Sequence, residues 1–193
     1  MALDLEPVRR IVAQDHGLAS IAVVRADGTP HTSLVNAGVL EHPRTAEPVV
    51  GYVTYGKVKL RNLRDRPATS ILWRAGWQWA GVEGPSELIG PGDTDAESLR
   101  LLLRAVFSAC GGTHDDWDTF DRVMREEGRV AVLVAPTRVY GNACASAARL
   151  ARRRRLIAGP PDRRAARPTR AAVRARGGGR PPPARIAEPR PRR

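Results

Sequence analysis

Apolar positions recur along residues 5–134 at two different periods, and each stretch carries its own stop signal. Leu5, Val8, Ile11 and Val12 fall near helical spacing, which predicts a short helix over Leu5–Ala13 with Pro7 tolerated in its first turn. Leu18–Val24 and His31–Leu40 are apolar-rich runs on either side of Ala26-Asp27-Gly28-Thr29-Pro30. Asp-Gly between such runs is a strong hairpin signal. Pro48–Tyr55 is β-branched and aromatic and reads as a third strand. Val58–Asp65 reads as a short helix that must stop before Pro67.

Ala68–Trp73 and Trp77–Ile89 read as the fourth and fifth strands. The fifth is long enough to bend at Gly81 or Gly84. Thr94-Asp95-Ala96-Glu97 has the form of a capping box with Thr94 as the cap. Leu99, Leu102, Leu103 and Val106 then line one helical face until Gly111-Gly112. Asp116–Glu127 predicts an acidic helix with Asp115 or Asp116 as its cap, and Arg129–Val134 a sixth strand. Six consecutive strands with tight turns favour a mainly antiparallel sheet closed into a small barrel, because closure removes exposed edges.

Charge divides the chain. Residues 1–142 hold 16 basic and 18 acidic side chains, whereas residues 143–193 hold 16 Arg against Asp162 and Glu188. The net charge of +12 therefore belongs to the last quarter. Arg, Ala, Pro and Gly supply 41 of its 51 residues, too little apolar surface to order a fold. We expect a disordered tail there, with a basic helix at most over Ala143–Ile157. Its abrupt onset is what a shifted reading frame in GC-rich coding DNA produces. It has no aromatic residues to stack on bases, so nucleic acid is not the partner expected.

No apolar run is long enough for a membrane helix, and the acidic start lacks the pattern of a signal peptide, so a cytoplasmic protein is expected. Cys110 and Cys144 form no CxxC pattern. His16, His31, His42 and His114 are scattered, so no metal site is expected.

The chain has only two lysines, and both lie in Tyr55-Gly56-Lys57-Val58-Lys59-Leu60-Arg61-Asn62. A strand end, a Gly and three cations at alternate positions entering a helix can cradle a phosphate. A solvated basic helix face has the same pattern. Trp77 and Trp79, on one strand, would share a face and could wall a flat ring, cap a subunit interface or pack in the core. Ser33, Asn36 and Thr54 are polar groups in or beside strands, able to bond a ligand's ring edge. His31 reads as an exposed strand histidine, and Tyr140 as a packed tyrosine beside Gly141. No nucleophile elbow, P-loop or GxGxxG occurs.

The order of these motifs resembles the pyridoxamine 5'-phosphate oxidase-like family of FMN- and F420-binding split β-barrels. Asp27-Gly28-Thr29-Pro30-His31-Thr32-Ser33 is similar to its entry hairpin. Lys59-Leu60-Arg61-Asn62-Leu63-Arg64-Asp65-Arg66-Pro67 is similar to its cofactor-phosphate segment, and Ala80-Gly81-Val82-Glu83-Gly84 to the strand that follows. Arg129–Val134 with Pro136–Gly141 resembles the closing strand of the branch that uses the deazaflavin coenzyme F420, as does Trp117-Asp118 before it. The likeness spans about residues 5–142.

The resemblance implies an α+β, mainly β fold: a six-stranded antiparallel split β-barrel with short peripheral helices over residues 1–142, ahead of the tail at 143–193. It implies a homodimer with the cofactor in a groove at the interface, and a hydride-transferring oxidoreductase acting on a small organic substrate. Lys57, Lys59, Arg61 and Asn62 would hold the phosphate. Ser33, Leu34, Val35, Asn36 and Thr54 would line the ribityl chain and ring, partly through backbone groups. Trp77 and Trp79 would close the groove, from the other subunit in one arrangement. FMN is the alternative cofactor, and a non-catalytic flavin or tetrapyrrole binder the alternative role. Leu34 and Ala37-Gly38 depart from the family pattern, which more often has polar or Pro and bulkier residues there.

Overall fold

Strand alternation decides which residues fill this fold. In the computed structural model, which describes residues 3–144, strand β1 (Leu18–Val24) buries Ala19, Ile21 and Val23 and turns the residues between them outward. The remaining strands are β2 (Pro30–Glu41), β3 (Pro48–Thr54), β4 (Ala68–Ala75), β5 (Gln78–Ile89), β6 (Val130–Val134) and β7 (Arg138–Tyr140). The helices are α1 (Glu6–Val12), α2 (Lys57–Asp65), α3 (Ala96–Ala109) and α4 (Trp117–Glu126). Among the described residues no helix is long and apolar enough to cross a membrane. The expectations for the tail, from residue 145 on, lie outside the described residues.

Six strands close on themselves. β4 pairs with β1, β1 with β2, β2 with β3, β3 with β6, β6 with β5 and β5 with β4, all antiparallel. This is the expected six-stranded barrel. β5 makes the closure by using its length twice: Gln78–Pro85 pair with β4, and Ser86–Ile89 pair with β6. Gly84 stands just before the change of partner, where a Cβ would collide with the Ala135 carbonyl. The seventh strand was not expected. β7 has three residues, too few to show a period, and pairs with Gly81–Glu83 of β5.

Ile21, Ile71, Trp73, Val82, Tyr52 and Val132 fill the barrel, and α1 and α2 add Val8, Ile11, Val12 and Leu63 to the same cluster. Each such aliphatic side chain contributes roughly 1.5–3 kcal/mol by leaving water. The one polar handle of Trp73 is satisfied, its Nε1–H donating to the Ala37 carbonyl at 3.0 Å. A second cluster lies where α3 and α4 set Leu102, Leu103, Val106 and Phe120 against Val49, Ala131 and Leu133.

Two local expectations are corrected. The cap of α3 is Asp95, not Thr94: the Asp95 carboxylate accepts from the Ser98 amide at 2.9 Å, while Thr94 is engaged in a bridge to Pro91. Glu97 turns to Arg100 instead of back to the cap. Trp77 is not on β5. Gly76, at φ +58°, and Trp77 form the two-residue turn between β4 and β5, a turn that wants glycine in its first central position. The cap of α4 is Asp116, one of the two expected acids.

Candidate functional site

The cations come together at the start of α2. Gly56 precedes the helix without a side-chain cap, and no acid lies in the first turn. The first-turn amides are therefore open, at the positive end of the helix. Lys57 and Arg61, one helical turn apart, are exposed, and Lys59 is half-buried. None of the three is paired with an acid among the described residues. Burial of Lys59 lowers its pKa from the ordinary lysine value, as expected of a cation kept out of water without a counter-charge. Asn62 behaves differently. It is 6% exposed, and its Oδ1 accepts from Arg66 at 3.3 Å, so it braces the helix end.

β2 supplies the second part. Pro30–Asn36 pair with β1 and Ala37–Glu41 with β3, so the first half of β2 has no strand on its other edge among the described residues. The Ala37 amide bonds the Gly17 carbonyl on the β1 side. Antiparallel alternation then turns the main-chain N–H and C=O groups of Thr32, Leu34 and Asn36 to the open edge. β3 runs past Ala37 towards Thr54 and delivers the chain to α2 on that same side.

The side chains divide between two faces. Leu34, 70% exposed, and Asn36 point outward, whereas Ser33 and Val35 turn towards the barrel. By the same alternation their main-chain N–H and C=O groups face β1, so neither residue offers a polar group to the open edge. The Ser33 Oγ and the His31 Nδ1 are buried without partners among the described residues, so His31 is half-buried and not the exposed strand histidine expected. The Asn36 side chain donates through Nδ2 to the His16 carbonyl at 2.7 Å. Thr54 is buried at the end of β3, opposite Val130.

The two tryptophans separate. Trp77, at the hairpin tip, is 95% exposed. Trp79 is half-buried, its ring edge-on to Tyr140 at 5.9 Å. Tyr140 in turn lies over Gly81, where a Cβ would stand 2.6 Å from its ring. Asn142 clamps the hairpin: its side chain accepts from the Trp79 amide at 2.8 Å and donates to the Trp77 carbonyl at 2.6 Å. Asn142 was missed because it stands at the edge of the compositional change. Ala143, beyond that edge, still donates to the Trp79 carbonyl. Arg129 was also missed as a neighbour of the cradle. Its guanidinium lies 4.0 Å over the Tyr55 ring, across a β3–β6 pairing that sequence spacing does not reveal.

Open amides and cations suit a phosphate, and an unpaired strand edge suits the alternating donors and acceptors of a flavin-type ring. The donor set therefore fits a phosphorylated flavin or deazaflavin.

No family model matches the sequence. Solved structures do match the fold. A candidate 5-nitroimidazole antibiotic resistance protein from Bacteroides thetaiotaomicron superposes with a TM-score of 0.54 at 15% identity, over 73% of this chain and 85% of its own. A conserved hypothetical protein from Mycobacterium tuberculosis gives 0.53 at 19% identity over the same shares, 73% and 85%. A heme-binding protein from Mycobacterium smegmatis gives 0.51 at 16% identity, over 73% of this chain and 54% of its own. At such identities what they share with this chain is the fold, and the closed six-stranded antiparallel barrel is the one that the motif resemblance implied.

Proposed function

We propose that the protein is an oxidoreductase that binds coenzyme F420 and passes a hydride between it and a small organic substrate. One observation carries the reading: three cations without acidic partners among the described residues, at an uncapped helix start on the side where β2 leaves its edge open. Lys57, Lys59 and Arg61 hold the phosphate together with the first amides of α2. The main chain of Thr32, Leu34 and Asn36 meets the ring. The cofactor supplies the hydride chemistry, and the protein binds, orients and shields it. The resemblance of Arg129–Val134 and Pro136–Gly141 to the deazaflavin branch favours F420 over FMN.

The groove is completed by a second copy of the chain. Leu18, Leu34 and Leu72 leave the outer face of β1, β2 and β4 partly apolar and exposed, and Trp77 projects from the hairpin beside β4. An isologous dimer through this face would cover it and bring the partner's Trp77 to the groove.

The test is a titration of the purified chain with F420 and with FMN, followed by cofactor fluorescence. Tight F420 binding with weak FMN binding supports the reading. Preference for FMN moves the protein to the flavin branch. Binding of heme but of neither flavin would make it a tetrapyrrole carrier and overturn the enzymatic role.

A further inference from the structure

A cavity of about 430 Å³ opens where the end of α3 and the α3–α4 connection meet β3 and the start of β6. Phe107, Phe120, Val53 and Met124 form apolar walls, and Asn36 and Arg129 lie at its border. Of its lining, only Asn36 belongs to the proposed cofactor groove. Phe107 and Phe120 stand 5.0 Å apart at 47°, with Trp117 edge-on to both at 6.1 and 5.4 Å. Such a wall receives the face or edge of another ring. The Cys110 thiol in the wall is no nucleophile, since burial pushes its pKa up to about 12.

The charge of the lining has one sign. No Asp or Glu lines the cavity among the described residues, and Arg129 is its one permanently charged member. The negative end of α3 is closed off. The Gly111 amide donates to Ser108, the Gly112 amide to Phe107, and the Gly111 carbonyl lies 3.3 Å from the His16 Nδ1. Arg129 gives Nε and Nη2 to Glu127 at 2.6 and 2.5 Å, and its Nη1 meets no acid among the described residues.

From this juxtaposition of an aromatic wall and one guanidinium we infer that the cavity is a binding site for a planar aromatic carboxylate of one or two rings. Its volume lies within the range of small-molecule sites, roughly 300–1,000 Å³. Asn36 belongs both to this cavity and to the open edge of β2, so a ring bound here lies next to the groove. Its role as the hydride acceptor's place rests on the cofactor reading, whereas the binding itself does not.

The experiment is calorimetric titration of the full chain, without added cofactor, using 2-naphthoate and the neutral 2-naphthamide. Thr113 is an exposed residue of the lining, so Thr113→Trp fills the mouth without disturbing the core. Arg129→Gln removes the charge and keeps a side chain over Tyr55. We expect Thr113→Trp to weaken both probes about tenfold or more, an amount comparable to losing one good contact. Arg129→Gln should weaken naphthoate about tenfold and leave naphthamide within about twofold. Absence of naphthoate binding at about 1 mM, weak even for a small ligand, overturns the site. So does binding that neither substitution changes, since it would lie elsewhere, as on the exposed leucines of the outer sheet. Failure of the F420 and FMN titrations leaves this result standing, and the converse also holds.

Discussion

Gly38 on β2 and Ala109 at the end of α3 touch backbone to backbone. A Cβ at Gly38 would stand 2.1 Å from the Ala109 carbonyl oxygen and 2.7 Å from the Cys110 nitrogen. That contact accounts for one departure of the sequence from the family pattern, because a bulkier residue here would push α3 off the barrel. Neither neighbour is a side chain that can swing aside. Gly38→Ala is expected to cost about 3 kcal/mol, the upper range for an overpacked site. Urea unfolding checks it, and an unchanged midpoint would mean that α3 shifts freely.

Asp121 ties α4 to α3. Arg104 donates to its carboxylate through Nε at 2.8 Å and Nη2 at 2.5 Å, and Arg100 through Nη1 at 3.2 Å. The Arg104 hydrogen bonds, with the one from Arg100, hold the Asp121 pKa below its ordinary value against the opposing effect of burial. A carboxyl with a depressed folded pKa stabilises the fold above its unfolded pKa of about 3.9, and that stability is lost as pH falls through the folded value. Asp121→Asn should therefore flatten the fall of stability below about pH 4. Near pH 7 it should cost about 1 kcal/mol, since both arginines are partly solvated. Thermal melts from pH 2 to 7 read both effects.

Local pattern carried the strands and helices, with β1 running from Leu18 to Val24 as alternation predicts. It failed where two signals of similar strength stood side by side. Thr94 and Asp95 are both good caps, and only the bridge of Thr94 to Pro91 separates them. Gly76-Trp77-Gln78 reads equally as turn or strand until the pairing of Ala75 with Gln78 is known. In the site, the cations were legible because charge and helix start are both local. The open edge was not, since it depends on β2 changing partners between Asn36 and Ala37, a tertiary register. The aromatic cavity was not legible either, because its walls come from three separate segments.

Lys59 and Asn62 were assigned one role but occupy different environments, so their substitutions should part company. Lys59→Ala removes a half-buried cation without an acidic partner among the described residues. It should weaken cofactor binding more than tenfold, about the value of one charge-assisted phosphate contact, and leave stability nearly unchanged. Asn62→Ala removes a buried acceptor from Arg66 and should cost about 1–2 kcal/mol of stability, with a small effect on affinity in the protein that remains folded. Paired cofactor titrations and urea melts distinguish the two. Equal losses of affinity would return Asn62 to the phosphate.

Trp77 gives the sharpest separation of stability from function. At 95% exposed it contributes almost nothing to its own subunit's core, while its main chain is held by Asn142 whatever the side chain. Trp77→Ala should keep monomer stability within about 0.5 kcal/mol, as for other surface substitutions. Trp79→Ala, by contrast, removes the ring packed against Tyr140 and should cost about 2 kcal/mol. If Trp77 reaches a partner's groove, its removal should weaken the dimer in sedimentation and cofactor binding together, because exposed aromatic anchors concentrate interface energy. Loss of dimer without loss of cofactor affinity would confine Trp77 to the interface. Retention of both would leave the hairpin tip in solvent and place the groove's cover elsewhere.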